Sequence, residues 1–276
     1  MEIRCASCQN EYKRMSTKEL RENFLIDTLF GWGQINAVYW ETDRAVVASA
    51  VPGASALVLE TAPVLASDFF CERRELGVLN LGAPGNVMVD GVGYDLDHLD
   101  CLYIGRGART ISFGNGHPKK AAKFLLISYP AHCTYPTTFV KHSEANTLKL
   151  GSPETANQRT IFQYIHEGGI KSCQLVMGFT RMDTGSVWNT MPPHTHTRRS
   201  EVYVYFDIPD HAAAFHFMGP GDETRHLLVH DGQAVLSPVW SIHSGCGSQA
   251  YSFVWAMGGE NQQFTDMDGI AIRDLR

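Results

Sequence analysis

The chain has 276 residues, 44% of them hydrophobic and 19% charged, with a formal net charge of −6. That charge argues against a nucleic-acid surface, and no apolar run reaches the roughly eighteen residues that a membrane-spanning helix needs. The opening Met1-Glu2-Ile3-Arg4-Cys5 lacks the layout of a signal peptide, and the cysteines, seven in number and scattered, do not read as a disulfide framework. The expectation is a cytoplasmic protein that handles a small molecule, without nucleic-acid or membrane partners.

Cys5-x-x-Cys8 stands without further His or Cys nearby and reads as two free thiols rather than a zinc knuckle or a redox pair. Ser16-Thr-Lys-Glu19 has the spacing of a capping box, and Leu20, Phe24, Leu25, Thr28 and Leu29 follow it at helical period. Residues 1–30 are therefore expected to hold a short helix of about three turns. After Gly31 the texture is β. Short runs at Val38–Trp40, Ala45–Ala48, Ala56–Leu59 and Phe69–Glu72 are parted by Gly, Pro and Asp. A meander follows through Gly77–Leu81, Asn86–Val89, Val92–Leu96, Cys101–Ile104, Arg109–Phe113 and Lys123–Ser128, with a hairpin signal at Asp90-Gly91.

Residues 141–160 lack periodicity and read as a linker, although Tyr135, Lys141 and Arg159 in or near it could reach a neighbouring site. Strand-like runs resume at Gln158–Ile165 and Cys173–Thr180. They continue at Val202–Phe206, Ala212–Met218, Arg225–His230, Ala234–Leu236 and Ala250–Ala256. Asp231-Gly232 repeats the hairpin signal of the first half, so the layout predicts an all-β chain of two duplicated β-sandwich halves, 31–140 and 161–276. The tail from Asp266 reads as an edge strand or surface segment.

The chemistry concentrates in Met191-Pro-Pro-His-Thr-His-Thr-Arg-Arg-Ser-Glu201. Side chains alternate along a strand, so His194 and His196 project from one face and can grip one ion. Glu201 has the opposite parity, and a turn through residues 197–200 must re-aim it. His243, beyond Asp231-Gly232, offers a fourth donor. Three imidazoles and a carboxylate suit one divalent metal: zinc, iron(II), manganese or nickel. The competing reading makes them polar rim residues of a sandwich. The first half has no His-x-His and is expected to be metal-free.

This arrangement resembles the cupin metal motif. Over nearly its whole length the chain is similar to the 5-keto-4-deoxyuronate isomerases of pectin breakdown. The resemblance rests on Glu72–Gly77, Pro130–Pro136, Trp188–His196, Glu223–His226, Ser237–Gly245 and Gly259–Gln262. It implies two cupin-like jelly rolls, one metal-free and one holding a metal, with zinc the expected ion. It also implies a ketol-isomerase that converts 4-deoxy-L-threo-5-hexosulose uronate to 3-deoxy-D-glycero-2,5-hexodiulosonate. Cupins that pair sheets edge to edge suggest a homo-oligomer, with a hexamer within reach.

A uronate carries a carboxylate, which the planar fork of an arginine matches. Arg198 and Arg199 are the first candidates, with Arg181 and Arg159 behind them. His226 joins as a substrate-binding candidate because it lies in one of the matching segments, whereas His216 and His230 read as ordinary strand residues. No residue stands out as the catalytic base. The alternatives are an iron(II) dioxygenase, which uses the same ligands, and a sugar-sensing cupin, which would carry a DNA-binding helical domain that this chain has no segment to supply.

Overall fold

The computed structural model describes residues 1–117 and 120–276. It divides the chain into two compact units. The first comprises Met1–Arg4, Thr28–Asn146 and Tyr164–Val176, and the second Cys5–Asp27, Thr147–Gln163 and Met177–Arg276. The expected blocks 1–30, 31–140, 141–160 and 161–276 thus meet a chain that crosses between units several times. The stretch expected as a linker contains the strand Asn146–Leu150 and the start of Arg159–Ile165.

Each unit is a sandwich of a seven-stranded and a four-stranded sheet, the all-β duplication expected. The large sheet of the first runs Glu2–Arg4, Gln34–Trp40, Ala45–Val51, Phe124–Pro130, Arg74–Asn80, Cys101–Ile104, Thr138–Val140. That of the second runs Asn146–Leu150, Arg159–Ile165, Val176–Met182, Ser252–Gly259, Arg199–Phe206, Ala234–Ser237, Leu25–Ile26. The small sheets match as well: Leu57–Val58, Ile111–Asn115, Gly85–Val89, Val92–Leu96 in one, and Trp188–Asn189, Ile242–Gly247, Ala214–Gly219, Arg225–Val229 in the other.

Asp90-Gly91 makes the tight hairpin that its residue types call for. Both have positive φ, 49° and 85°, and Val89 pairs with Val92 across the turn. Asp231-Gly232 does not make a hairpin. It joins Arg225–Val229 to Ala234–Ser237, which lie in different sheets, so the same dipeptide here turns the corner of the sandwich. Phe69–Glu72 likewise departs from the expected strand, with Phe70–Glu72 forming a 3-10 turn.

The helix is real but short. Ser16 caps Thr17–Phe24, its hydroxyl accepting from the Glu19 amide while the Glu19 carboxylate accepts from the Ser16 amide at 2.7 Å. It stops before the predicted third turn because Leu25 and Ile26 become extended and pair with Val235 and Ala234, which buries both side chains. Tyr12 and Phe24 pack on Trp240, with ring centroids 5.2 and 6.1 Å away. Cys5 and Cys8 are free and exposed.

Register explains why the two sandwiches differ inside. Arg74 lies opposite Pro130, the last residue of its neighbour strand, and Arg199 lies opposite Gly259 in the same way. Two residues further on stand Leu76 in the first unit and Glu201 in the second. Leu76 belongs to a closed apolar core with Ala48, Val78, Val87, Leu102, Phe113 and Phe124. The first sandwich thus fills with hydrocarbon the position where the second places a carboxylate.

Candidate metal centre

The second sandwich brings its polar side chains together from both sheets. Glu201 sits on the central strand Arg199–Phe206, between Met257 and Ser237. After Ser237 the chain turns, the Ser241 amide donating to the Pro238 carbonyl at 2.9 Å, and enters the small sheet. There His243 pairs with Met218. His194 pairs with Gly269 in a two-residue ladder, and the turn closed by the Arg199 amide on the His196 carbonyl, at 3.0 Å, re-aims the chain toward Glu201.

His194, His196, Glu201 and His243 are all buried. The Nε2 atoms of His194 and His243 lie 3.0 Å apart, and Glu201 Oε2 lies 2.9 Å from His243 Nε2 and 3.4 Å from His196 Nε2. One ligand atom from each of the three histidines falls within 4.8 Å of the other two, so this group could hold a metal ion. Glu201 Oε2 is close to both His243 and His196, yet it accepts no hydrogen bond from any described residue. A buried carboxylate oxygen without a donor is costly. A cation at the point where the imidazole nitrogens converge removes that cost, so the donor set fits a divalent ion.

The electrostatics agree. Burial, reinforced by His243 and His196, holds the His194 pKa down at about 3, which keeps the ring neutral and able to ligate. Burial alone would raise Glu201, but the facing His243 and His196 outweigh it and hold the carboxyl well below its usual range. The His196 ring is held from behind. Its Nδ1 contacts the Asp266 carbonyl at 2.5 Å and Arg199 Nη2 at 3.1 Å, which fixes the ring and turns Nε2 toward Glu201.

The group opens on a cavity of ≈ 420 Å³, within the range of small-ligand sites. Ile161, Phe253, Trp255, Met257 and Phe264 form apolar walls, and Arg159, Thr180, Thr190 and Tyr203 add polar groups. Burial, then the charge of Glu201, pushes the Tyr203 phenol well above its ordinary pKa, so it stays protonated and can donate.

The sequence pattern of the KduI/IolB family matches residues 28–272. A 4-deoxy-L-threo-5-hexosulose-uronate ketol-isomerase of Kineococcus radiotolerans is 52% identical, the match covering 100% of both chains. One of Bacillus subtilis is 48% identical, again over 100% of both. The chain belongs to the KduI/IolB family. Among solved structures, an IolB-like protein of Salmonella typhimurium superposes with a TM-score of 0.70 at 12% identity, over 90% of this chain and 97% of that one. The Lactobacillus farciminis oxalate decarboxylase formate complex gives 0.61 at 10% identity, over 91% and 88%. These two likenesses show a shared fold, the all-β double sandwich.

In this KduI/IolB chain the structure puts the expected arginines elsewhere. Arg198 is tied to Asp266, from Nη2 at 2.6 Å, and to Asp268 at 3.0 Å. Arg199 is buried, and its guanidinium donates to the carbonyls of Gln263 at 2.8 Å and Asp266 at 3.0 Å. Neither lines the cavity. The physical reason is proximity: both arginines follow the His-x-His turn directly and meet the returning tail, whose acids hold Arg198 and whose carbonyls accept from Arg199, leaving only Arg199 Nε without a hydrogen-bond partner. His226 is exposed on Arg225–Val229 beside Phe215, its ring 5.6 Å away, and is also absent from the cavity wall. Arg181 lies over Phe162 and Phe179, 5.9 and 5.6 Å from their centroids.

Residues that the sequence did not single out are Tyr203 and Asp266, while Arg159, a reserve candidate there, lines the cavity. The tail expected as an edge strand or surface segment forms the short exposed strand Asp268–Gly269 against His194-Thr195, and its Met267 and Gly269 also line the cavity.

Proposed function

We propose that this chain is a metal-dependent ketol-isomerase that interconverts 4-deoxy-L-threo-5-hexosulose uronate and 3-deoxy-D-glycero-2,5-hexodiulosonate in the breakdown of pectin and related polyuronates. The observation that carries the reading is the convergence of three buried imidazoles and one buried carboxylate, with His194, His196 and Glu201 on the wall of a ligand-sized cavity. The relatives of about half identity over the full length name the substrate.

His194, His196 and His243, through Nε2, and Glu201, through its carboxylate, would hold the ion. Bound there, a divalent cation acts as a Lewis acid that polarises a carbonyl and its neighbouring hydroxyl. Zinc is the ion proposed, because aldose–ketose interconversion needs no redox step and this donor set suits zinc. The Tyr203 hydroxyl, kept protonated, donates to a substrate oxygen. The apolar walls exclude water, which strengthens each of these polar contacts.

The test is elemental analysis of purified protein together with isomerisation assayed without oxygen. One zinc per chain, loss of activity on chelation, recovery with zinc and indifference to oxygen are the expected results. Turnover that requires oxygen and iron would assign the site to the cupin dioxygenases instead.

Arg198 now carries a different expectation from a substrate ligand. Arg198→Ala releases Asp266 and Asp268 and loosens the tail that lines the cavity. It should lower kcat/KM on the order of tenfold, equally for the uronate and for the same sugar with a C6 hydroxymethyl group. A loss confined to the uronate would return Arg198 to the substrate site.

A further inference from the structure

We infer that Arg159 is the specificity-determining residue of this site, the group that receives the carboxylate of the sugar acid. The inference rests on the function proposed above for its substrate, and on geometry for its residue. Of the residues lining the cavity, Arg159 is the single arginine or lysine, and it shares that wall with His194, His196 and Glu201. A sugar acid bound with its carbonyl end toward the histidines has, among the described residues, no other arginine or lysine in the cavity for its far end.

The state of the guanidinium supports the assignment. Arg159 opens the strand Arg159–Ile165, and its Nη1 donates to the Asn157 carbonyl at 2.9 Å, which anchors one arm of the fork. Its Nε is buried and has no hydrogen-bond partner. Among the described residues no acid forms an ion pair with it, whereas Arg198 has two and Arg181 faces Asp207 at 4.0 Å. A buried guanidinium donor left without an acceptor is disfavoured, and a planar carboxylate is the acceptor whose geometry matches the fork. Desolvation already bears on the group, lowering its pKa from the ordinary arginine value, with Tyr203 and Tyr251 opposing. An arriving anion relieves that cost, while a neutral hydroxymethyl group relieves little of it. The surrounding Ile161, Phe253 and Trp255 supply no competing acceptor.

The experiment compares wild type, Arg159→Met and Arg159→Lys as zinc-loaded protein on two substrates, the uronate and the same sugar with C6 as a hydroxymethyl group. Binding of D-galacturonate and of D-galactose by calorimetry gives a readout independent of turnover. Arg159→Met is expected to lose roughly thirty- to a thousand-fold in kcat/KM on the uronate and only a few-fold on the neutral sugar. Metal content should be unchanged, and added guanidinium ion should restore part of the uronate activity. Arg159→Lys keeps the charge without the fork and should fall between the two.

Equal losses on both sugars, or no loss on either, would overturn the inference. A wild type that holds zinc but does not isomerise the uronate would overturn the proposed function rather than the residue. Binding then decides: a preference for galacturonate over galactose that Arg159→Met abolishes upholds the carboxylate site, and its absence in wild type removes it.

Discussion

His243→Ala is expected to leave the protein folded, without its metal, and slower by roughly a thousand-fold or more in kcat/KM. His243 Nε2 is the atom nearest both His194 Nε2, at 3.0 Å, and Glu201 Oε2, at 2.9 Å, so its removal opens the centre of the group. Glu201 is then a buried carboxylate facing His196 alone, which weakens the site further. The remaining His194, His196 and Glu201 offer one donor fewer, and the affinity falls with that loss. Elemental analysis after dialysis, with circular dichroism as the check on folding, decides the outcome. Full metal occupancy in a folded His243→Ala protein would remove this histidine from the ligand set.

The second large effect lies in the first sandwich. Glu75 is completely buried, and its carboxylate accepts from the backbone amides of Cys173, Gln174 and Leu175 at 2.6, 2.8 and 2.8 Å. The Tyr103 hydroxyl donates a fourth bond at 2.8 Å. All five residues belong to the first unit, so this one side chain ties residues 173–175 to the sheet of Arg74–Asn80. Glu75→Ala strands four donors, and the expected loss is about 3–5 kcal/mol of unfolding free energy. Glu75→Gln should recover only part of it, because an amide offers one acceptor oxygen and turns its own donors toward the remaining amides. Urea unfolding followed by tryptophan fluorescence measures the change, as a shift in midpoint at constant slope. A loss below about 1 kcal/mol would mean that water replaces the carboxylate at this position.

Two kinds of information separate here. Wherever the physics is local, the order of residues alone determined the outcome. Period-two alternation announced the strands, Ser16 and Glu19 announced the helix start, and Asp90-Gly91 announced a hairpin, because each depends on neighbours within a few residues. His194 and His196 were legible for the same reason, since two residues of one face stay together however the sandwich closes.

Tertiary structure decided the rest, through pairings far apart in the chain. Asp231-Gly232 has the residues of a hairpin but became the corner between two sheets, because the strand after it pairs with Arg199–Phe206 rather than with the strand before it. Arg198 and Arg199 looked available for substrate until the tail returned: Asp268-Gly269 pairs with His194-Thr195 and brings Asp266 onto both arginines. Arg159 lay in an aperiodic stretch and ranked behind Arg198 and Arg199 as a carboxylate candidate, and only sheet formation set it on the cavity wall with His194 and Glu201. Side-chain chemistry is written residue by residue, but which cation is left without a partner depends on every acceptor that folding brings near it.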